Sequence, residues 1–167
     1  ASGSGKSVLL AQIAGLLPVA EGAVWIDGVP LNGDTAAPLR ARMAWMGQQP
    51  HVFAGSVARN VGLQRPGVDA CAIAHAVEAA ALGPVLQARP HSSLGEGGAG
   101  LSGGEAVRLA LARMAVASPA GLLLADEPTA HLDPATAQQV RDALVQLAHG
   151  RTLLVATHDP LLAARMD

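Results

Sequence analysis

The stretch GLLLADE, residues 121–127, is a continuous apolar run that ends in two acids. A short run without alternation suits a strand covered on both faces of a parallel sheet. Asp126 and Glu127 then fall at the carboxyl edge of that sheet, where open α/β folds bind their ligands. An acidic turn that merely closes a strand looks the same, so this reading needs support from elsewhere in the chain.

Support comes from both sides. TLLVAT (152–157) repeats the buried-strand pattern. Between the two runs, Asp133-Pro134 reads as an N-cap followed by a first-turn proline. Val140, Leu144 and Leu147 then share one helical face. Asp159-Pro160 repeats the cap-and-proline signal for a last short helix. Upstream, KSVLLAQIAGLL (6–17) reads as a helix. AVWID (23–27) and MAWMG (43–47) read as strands, with Gly28 as a turn signal. From Ser56 to about Arg89 the pattern is helical and Ala-rich. Strand–helix alternation at both ends with a helical insert predicts an α/β sheet carrying a helical subdomain.

Composition narrows the partners. The 167 residues suffice for one domain with a core, and that core must be built without many rings, since Trp25, Trp45 and Phe53 are the only aromatics. A formal net charge of -2 gives no electrostatic case for a nucleic-acid partner. No apolar run approaches the ~18 residues that span a bilayer. Cys71, the one cysteine, excludes an internal disulfide and a Cys-based metal site, and reads as a buried small apolar residue of an Ala-rich helix. His51, His75, His91 and His149 share no metal-ligand spacing.

Three motifs carry chemistry. The chain opens ASGSGKS (1–7). Glycines here let backbone N–H groups converge on phosphate oxygens, and a helix starting at Lys6 adds its positive end. Lys6 is the only lysine among 11 basic residues, which points to a site-specific need for an ammonium. In a phosphate-binding loop Lys6 reaches the β- and γ-phosphates, and Ser7 places its hydroxyl on Mg²⁺. The full pattern, G-x-x-x-x-G-K-S/T, requires a glycine one place before Ala1. At the strand end, Asp126 suits a Mg²⁺ shell through water, and Glu127 suits a general base. LSGGE (101–105) puts a glycine pair at the start of a helix with a capping box, Ser102 and Glu105 each bonding the other's amide. It makes a second anion-seeking helix start, which can serve the same nucleotide only when supplied by a partner.

Gly3–Ser7, Gln48, Leu101–Glu105, Leu122–Glu127, AHLD (130–133) and His158 stand in the order found in ATP-binding cassette (ABC) ATPases. They resemble the Walker A loop, Q-loop, signature motif, Walker B strand, D-loop and switch histidine. The resemblance covers the whole chain and implies a P-loop NTPase fold with a mainly parallel sheet and an inserted helical subdomain. It divides the chain into a RecA-like core (1–50 and 118–167) and a helical subdomain (51–117). It implies head-to-tail pairing with a second ABC ATPase domain. ATP is then sandwiched between Ser2, Gly3, Ser4, Gly5, Lys6 and Ser7 of one subunit and Ser102, Gly103 and Gly104 of the other. Glu127 resembles the catalytic base, His158 the residue that orders attack on the γ-phosphate, and Gln48 the glutamine that touches Mg²⁺ and the water. Ser7, Gln48 and Asp126 form the implied Mg²⁺ set. Asp133 and His131 belong to the D-loop-like turn, at the nucleotide and the interface.

Two further stretches resemble exporter-type cassettes. QQPHVFAGSVARNVGL (48–63) matches their run after the Q-loop. LGEGGAGLSGGE (94–105) matches their X-loop, which meets the membrane domain. HVFAGSVARNV, Glu105 in place of the commoner Gln, and Ala130-His131 resemble CydD-type subunits of the thiol exporter of cytochrome bd assembly. That implies a CydC-type partner, a fused or associated transmembrane domain, and a place on the cytoplasmic face of a bacterial inner membrane. It also implies export of cysteine or glutathione. The alternatives are a non-hydrolysing half of an asymmetric pair, although Lys6, Glu127 and His158 are all present, and another ABC exporter with a different substrate. Val107 and Val8 depart from the commoner residues of the family. The family's adenine-stacking aromatic and N-terminal antiparallel strands lie upstream of its phosphate loop, and its chain continues past Asp167. The resemblance therefore leads one to expect a piece of a transporter.

Overall fold

A computed structural model describes residues 5–83, 94–95, 100–117 and 121–166. Helix α1 (Lys6–Ile13) leads to a small hairpin of β1 (Trp25–Ile26) and β2 (Val29–Pro30). Asp27 and Gly28 turn it, with φ of 50° and 76°, as the favoured two-residue hairpin turn requires. Then come α2 (Ala36–Arg40), β3 (Met43–Met46), α3 (Val57–Gly62), α4 (Ala70–Ala79) and α5 (Gly103–Val116). The chain ends with β4 (Leu122–Asp126), α6 (Pro134–Leu147), β5 (Thr152–Ala156) and α7 (Pro160–Ala163). None of the described helices is long and apolar enough to cross a membrane.

Strands β3, β4 and β5 form a parallel sheet in that order, with Ala125 opposite both Met46 and Val155. The period of two sorts their side chains onto two faces. Ala44, Met46, Leu123, Ala125, Leu153 and Val155 pack into the main core with α5 and α6. Met43, Trp45, Leu122, Leu124 and Ala156 face Leu10, Ile13 and Ala14 of α1. GLLLAD is thus buried on both faces, as its unbroken apolar run predicts: Leu123, Leu124 and Ala125 have no exposed surface. TLLVAT is not. Leu154 is 38% exposed, because β5 is an outer strand of this sheet and the helix beside it covers only part of its second face.

Four other expectations shift. Cys71 lies in α4 as expected but is exposed, because that helix turns Ala76 and Val77 into the core instead. The first helix ends at Ile13, four residues short of Leu17. AVWID contributes only Trp25 and Ile26, and Trp25 is exposed. The helical stretch from Ser56 is two helices, divided where Leu63 and Gln64 take positive φ, and its part from Pro84 onward lies outside the described residues. The capped starts are as read. Ser102 and Glu105 form both bonds of the capping box on α5, Asp133 caps α6, and Asp159 caps α7. Each such cap is worth about 1 kcal/mol.

Candidate functional site

Parallel strands deliver the site. The segments leaving β3, β4 and β5 at their carboxyl ends carry Gln48, Glu127 and His158, and α1 presents its N-terminus to the same edge. Gly5 (φ 79°) starts that helix and directs Lys6 across the opening. Together these residues line a cleft of ≈ 700 Å³, with Ser7 and His131 also on its wall.

Glu127 turns the chain at φ 47° while its N–H still donates to the Ala156 carbonyl at 2.8 Å, so its backbone stays tied to β5. Its side chain is 10% exposed. Oε2 accepts the His158 N–H at 3.1 Å, and Oε1 lies 3.5 Å from His158 Nε2. The same Nε2 lies 3.0 Å from Lys6 Nζ. A lysine ammonium only donates, so Nε2 is the acceptor and the ring proton sits on Nδ1. A proton on Nε2 would instead suit the longer approach to Glu127. The shorter contact favours the first arrangement.

Asp126 ends β4, one residue before Glu127; it is buried and does not itself line the cleft. Among the described residues its Oδ1 has no hydrogen-bond partner. An orphaned buried carboxylate oxygen costs on the order of 1–3 kcal/mol and calls for a cation or water. With the hydroxyl of Ser7 and the amide of Gln48 on the cleft wall, this is an all-oxygen donor set, which fits Mg²⁺.

Other expected residues stand apart. Ser2, Gly3 and Ser4 lie outside the described residues, as do Glu96 to Ala99 of the glycine-rich loop. Asp133 does not line the cleft. Its Oδ1 accepts the N–H groups of Ala135 and Thr136 at 3.1 and 3.0 Å, and hydrogen bonds from Thr136 hold its carboxyl below the usual range. Ser102, Gly103 and Gly104 open α5 away from this cleft, with Ser102 and Gly103 exposed. Gly104 presses against α6: a Cβ there would come 2.9 Å from Thr136 Cγ2.

One polar hub escaped the sequence reading. Arg113 of α5 donates from Nε to the Asn60 carbonyl and from Nη2 to Asn60 Oδ1, both at 2.8 Å, and from Nη1 to the His51 carbonyl. Asn60, fully buried, bonds both the N–H and the carbonyl of Phe53. Gly55 and Leu94 exchange backbone bonds of 3.0 and 2.8 Å beside it. The loop that follows Gln48 is thereby fastened to the helix that begins at LSGGE. Burial, then the nearby Arg65 charge, pushes the Arg113 guanidinium below its usual range.

The chain is similar to known proteins over most of its length. A family model described as "ABC transporter" matches residues 1–130. A second, described as "AAA domain, putative AbiEii toxin, Type IV TA system", matches residues 106–164. The mycobactin import ATP-binding/permease protein IrtB of Mycolicibacterium smegmatis is 41% identical over 160 residues, covering 94% of this chain and 28% of that protein. An ATP-dependent lipid A-core flippase of Cupriavidus metallidurans is 36% identical over 163 residues, covering 94% of this chain and 27% of that protein. A solved structure of a bacterial Atm1-family ABC exporter with ATP bound superposes at a TM-score of 0.84 with 31% identity, over 95% of this chain and 28% of that one. The chain thus spans less than a third of the length of each of these relatives.

Proposed function

This chain belongs to the ABC transporter family and has its P-loop α/β fold, and from that membership we propose that it binds and hydrolyses ATP to power an exporter-type transporter. The observation that carries this reading is the meeting of Lys6, Glu127 and His158 at the carboxyl edge of one parallel sheet.

Phosphoryl transfer demands positioning and charge stabilisation more than covalent chemistry. Glu127 takes the proton of the attacking water as its oxygen approaches the γ-phosphorus. Lys6 and the N–H groups opening α1 hold the negative phosphate oxygens. His158 donates to the γ-phosphate and keeps Glu127 in place through its backbone N–H. Ser7, Gln48 and, through water, Asp126 would hold Mg²⁺, which would supply neutralisation of the phosphate charge. In the intact protein, Glu127→Gln should lower turnover by about 10²–10⁴-fold while ATP binding persists. Unchanged hydrolysis would sink the base assignment.

The exposed Ser102 and Gly103, turned away from their own chain's cleft, support a head-to-tail pair in which Ser102, Gly103 and Gly104 close on the phosphates of the other subunit. Asp133 contributes to that composite site through its turn. Residues 1–50 and 118–167 act as the nucleotide-binding core and 51–117 as the helical subdomain, facing a fused or associated transmembrane domain at the cytoplasmic side. A more specific reading is thiol (cysteine or glutathione) export for cytochrome bd assembly with a CydC-type partner. HVFAGSVARNV, Glu105 and Ala130-His131 support it. The similar proteins carry names with other cargoes, mycobactin and lipid A-core among them. Transport of labelled cysteine or glutathione into vesicles by the intact protein and its partner tests it, and export of neither thiol would refute it.

A further inference from the structure

Helix α6 buries a charge. Arg141 follows Val140 on the core-facing side and is 6% exposed. A buried guanidinium must find an acid and further acceptors. Arg141 Nη1 donates to Asp159 Oδ2 at 2.6 Å, and its Nε and Nη2 donate to Gln138 Oε1 at 3.3 and 3.1 Å.

Asp159 is held from several sides. Its Oδ1 accepts the Leu161 and Leu162 N–H groups at 2.9 and 3.3 Å, which caps α7. Its own N–H donates to Thr157 Oγ1 at 2.9 Å. The Thr129 side chain, in the turn that follows Glu127, also bonds its carboxylate. The chain is thus pinned immediately on both sides of His158. The His158 N–H in turn donates to Glu127 Oε2 at 3.1 Å. Arg141 itself does not line the cleft.

We propose that the Arg141–Asp159 pair positions the Glu127 base, by fixing the backbone at 157–159 so that the His158 N–H holds one carboxylate oxygen and leaves the other turned to the water. Asp159 reaches the cleft wall, whereas Arg141 stands behind it and acts only through Asp159, so Arg141 is a positioning residue. This rests on the reading of Glu127 as base. A buried ion pair is weak evidence for stability, since apolar residues of similar volume often do as well. Geometry gives it a use, because a misplacement of about 1 Å at a reacting group costs on the order of 10²-fold.

The test is steady-state ATPase kinetics of the intact protein with Arg141→Met, Arg141→Lys and Asp159→Asn, alone and with Glu127→Gln. Arg141→Met should lower kcat by about 10–100-fold, with KM for ATP within about threefold. Arg141→Lys should recover part of that loss, because an ammonium still reaches Asp159. In the Glu127→Gln background Arg141→Met should lower the residual turnover by less than about twofold, since there is no longer a base to aim. The proposal is overturned by a kcat within twofold of wild type, by equal losses in kcat and ATP affinity, or by the same fold-loss with and without Glu127. Should Arg141→Met fail to fold, Arg141→Lys and Asp159→Asn decide: a reduced kcat at constant KM supports the proposal, and an unchanged kcat in both overturns it. A wild type without turnover would overturn the ATPase reading and this one with it. Normal wild-type turnover with unaffected variants would overturn this one alone.

Discussion

Lys6 Nζ lies 3.0 Å from His158 Nε2, a contact between the first turn of α1 and the residue two places beyond β5. The ammonium donates and the ring accepts. Two groups proposed for the same phosphate therefore hold each other, and on that reading an entering γ-phosphate takes the ammonium for itself. For Nε2 to donate to that phosphate in turn, the ring proton must move from Nδ1 to Nε2. On the proposed reading of the site, nucleotide entry and the histidine tautomer are coupled through this one contact.

His158→Ala removes the competitor for Lys6 and, with it, the proposed ligand of the γ-phosphate. ATP affinity should stay within about threefold of wild type or tighten, while turnover falls by about 10²–10³-fold. Calorimetric titration with a non-hydrolysable ATP analogue, followed by a steady-state ATPase assay with ATP, separates the two. A tenfold loss of affinity without loss of turnover would contradict the arrangement.

Gly104→Ala places a methyl 2.9 Å from Thr136 Cγ2, where the start of α5 meets the start of α6. Overpacking of this kind costs about 1–3 kcal/mol. Thr136→Ser removes Cγ2 yet keeps the hydroxyl that bonds Asp133. The double variant should therefore regain most of the stability that Gly104→Ala loses. Chemical denaturation of the four proteins of that cycle gives the coupling energy, and purely additive losses would refute the steric account.

The parts legible in the sequence are those set by local chemistry. Ser102 with Glu105, Asp133 with Pro134, and Asp159 with Pro160 announce helix starts, because a cap needs only residues within three positions. Leu123 to Ala125 announce a central strand, because no side of them is polar. Burial that depends on sheet order is not local, so Leu154 reads like Leu124 although one is half open and the other sealed. Leu63 and Gln64 break a helix at positive φ without a glycine to mark the place. For the site, the order of six motifs assigns Lys6, Gln48, Glu127 and His158 to one cleft. Nothing in their spacing reveals that Lys6 and His158 touch. Arg141 left one signal, a cation on the apolar face of an amphipathic helix, but its acid stands 18 residues on.

Arg113→Lys keeps the charge and loses the fork. One guanidinium reaches the Asn60 carbonyl, Asn60 Oδ1 and the His51 carbonyl, and lies 5.6 Å from the Phe53 ring centre. A single ammonium cannot span acceptors set that far apart. Asn60 is fully buried, so an acceptor left unpaired there loses its hydrogen bond with no water to replace it. The expected cost is about 1–3 kcal/mol of stability. The functional signature differs from that of His158→Ala, because the hub fastens the loop after Gln48 without lining the cleft. ATP affinity should hold while hydrogen exchange at residues 51–60 rises relative to that of β4. Uniform acceleration of exchange across α5 and β4 would instead mean that Arg113 serves only the general stability of the core.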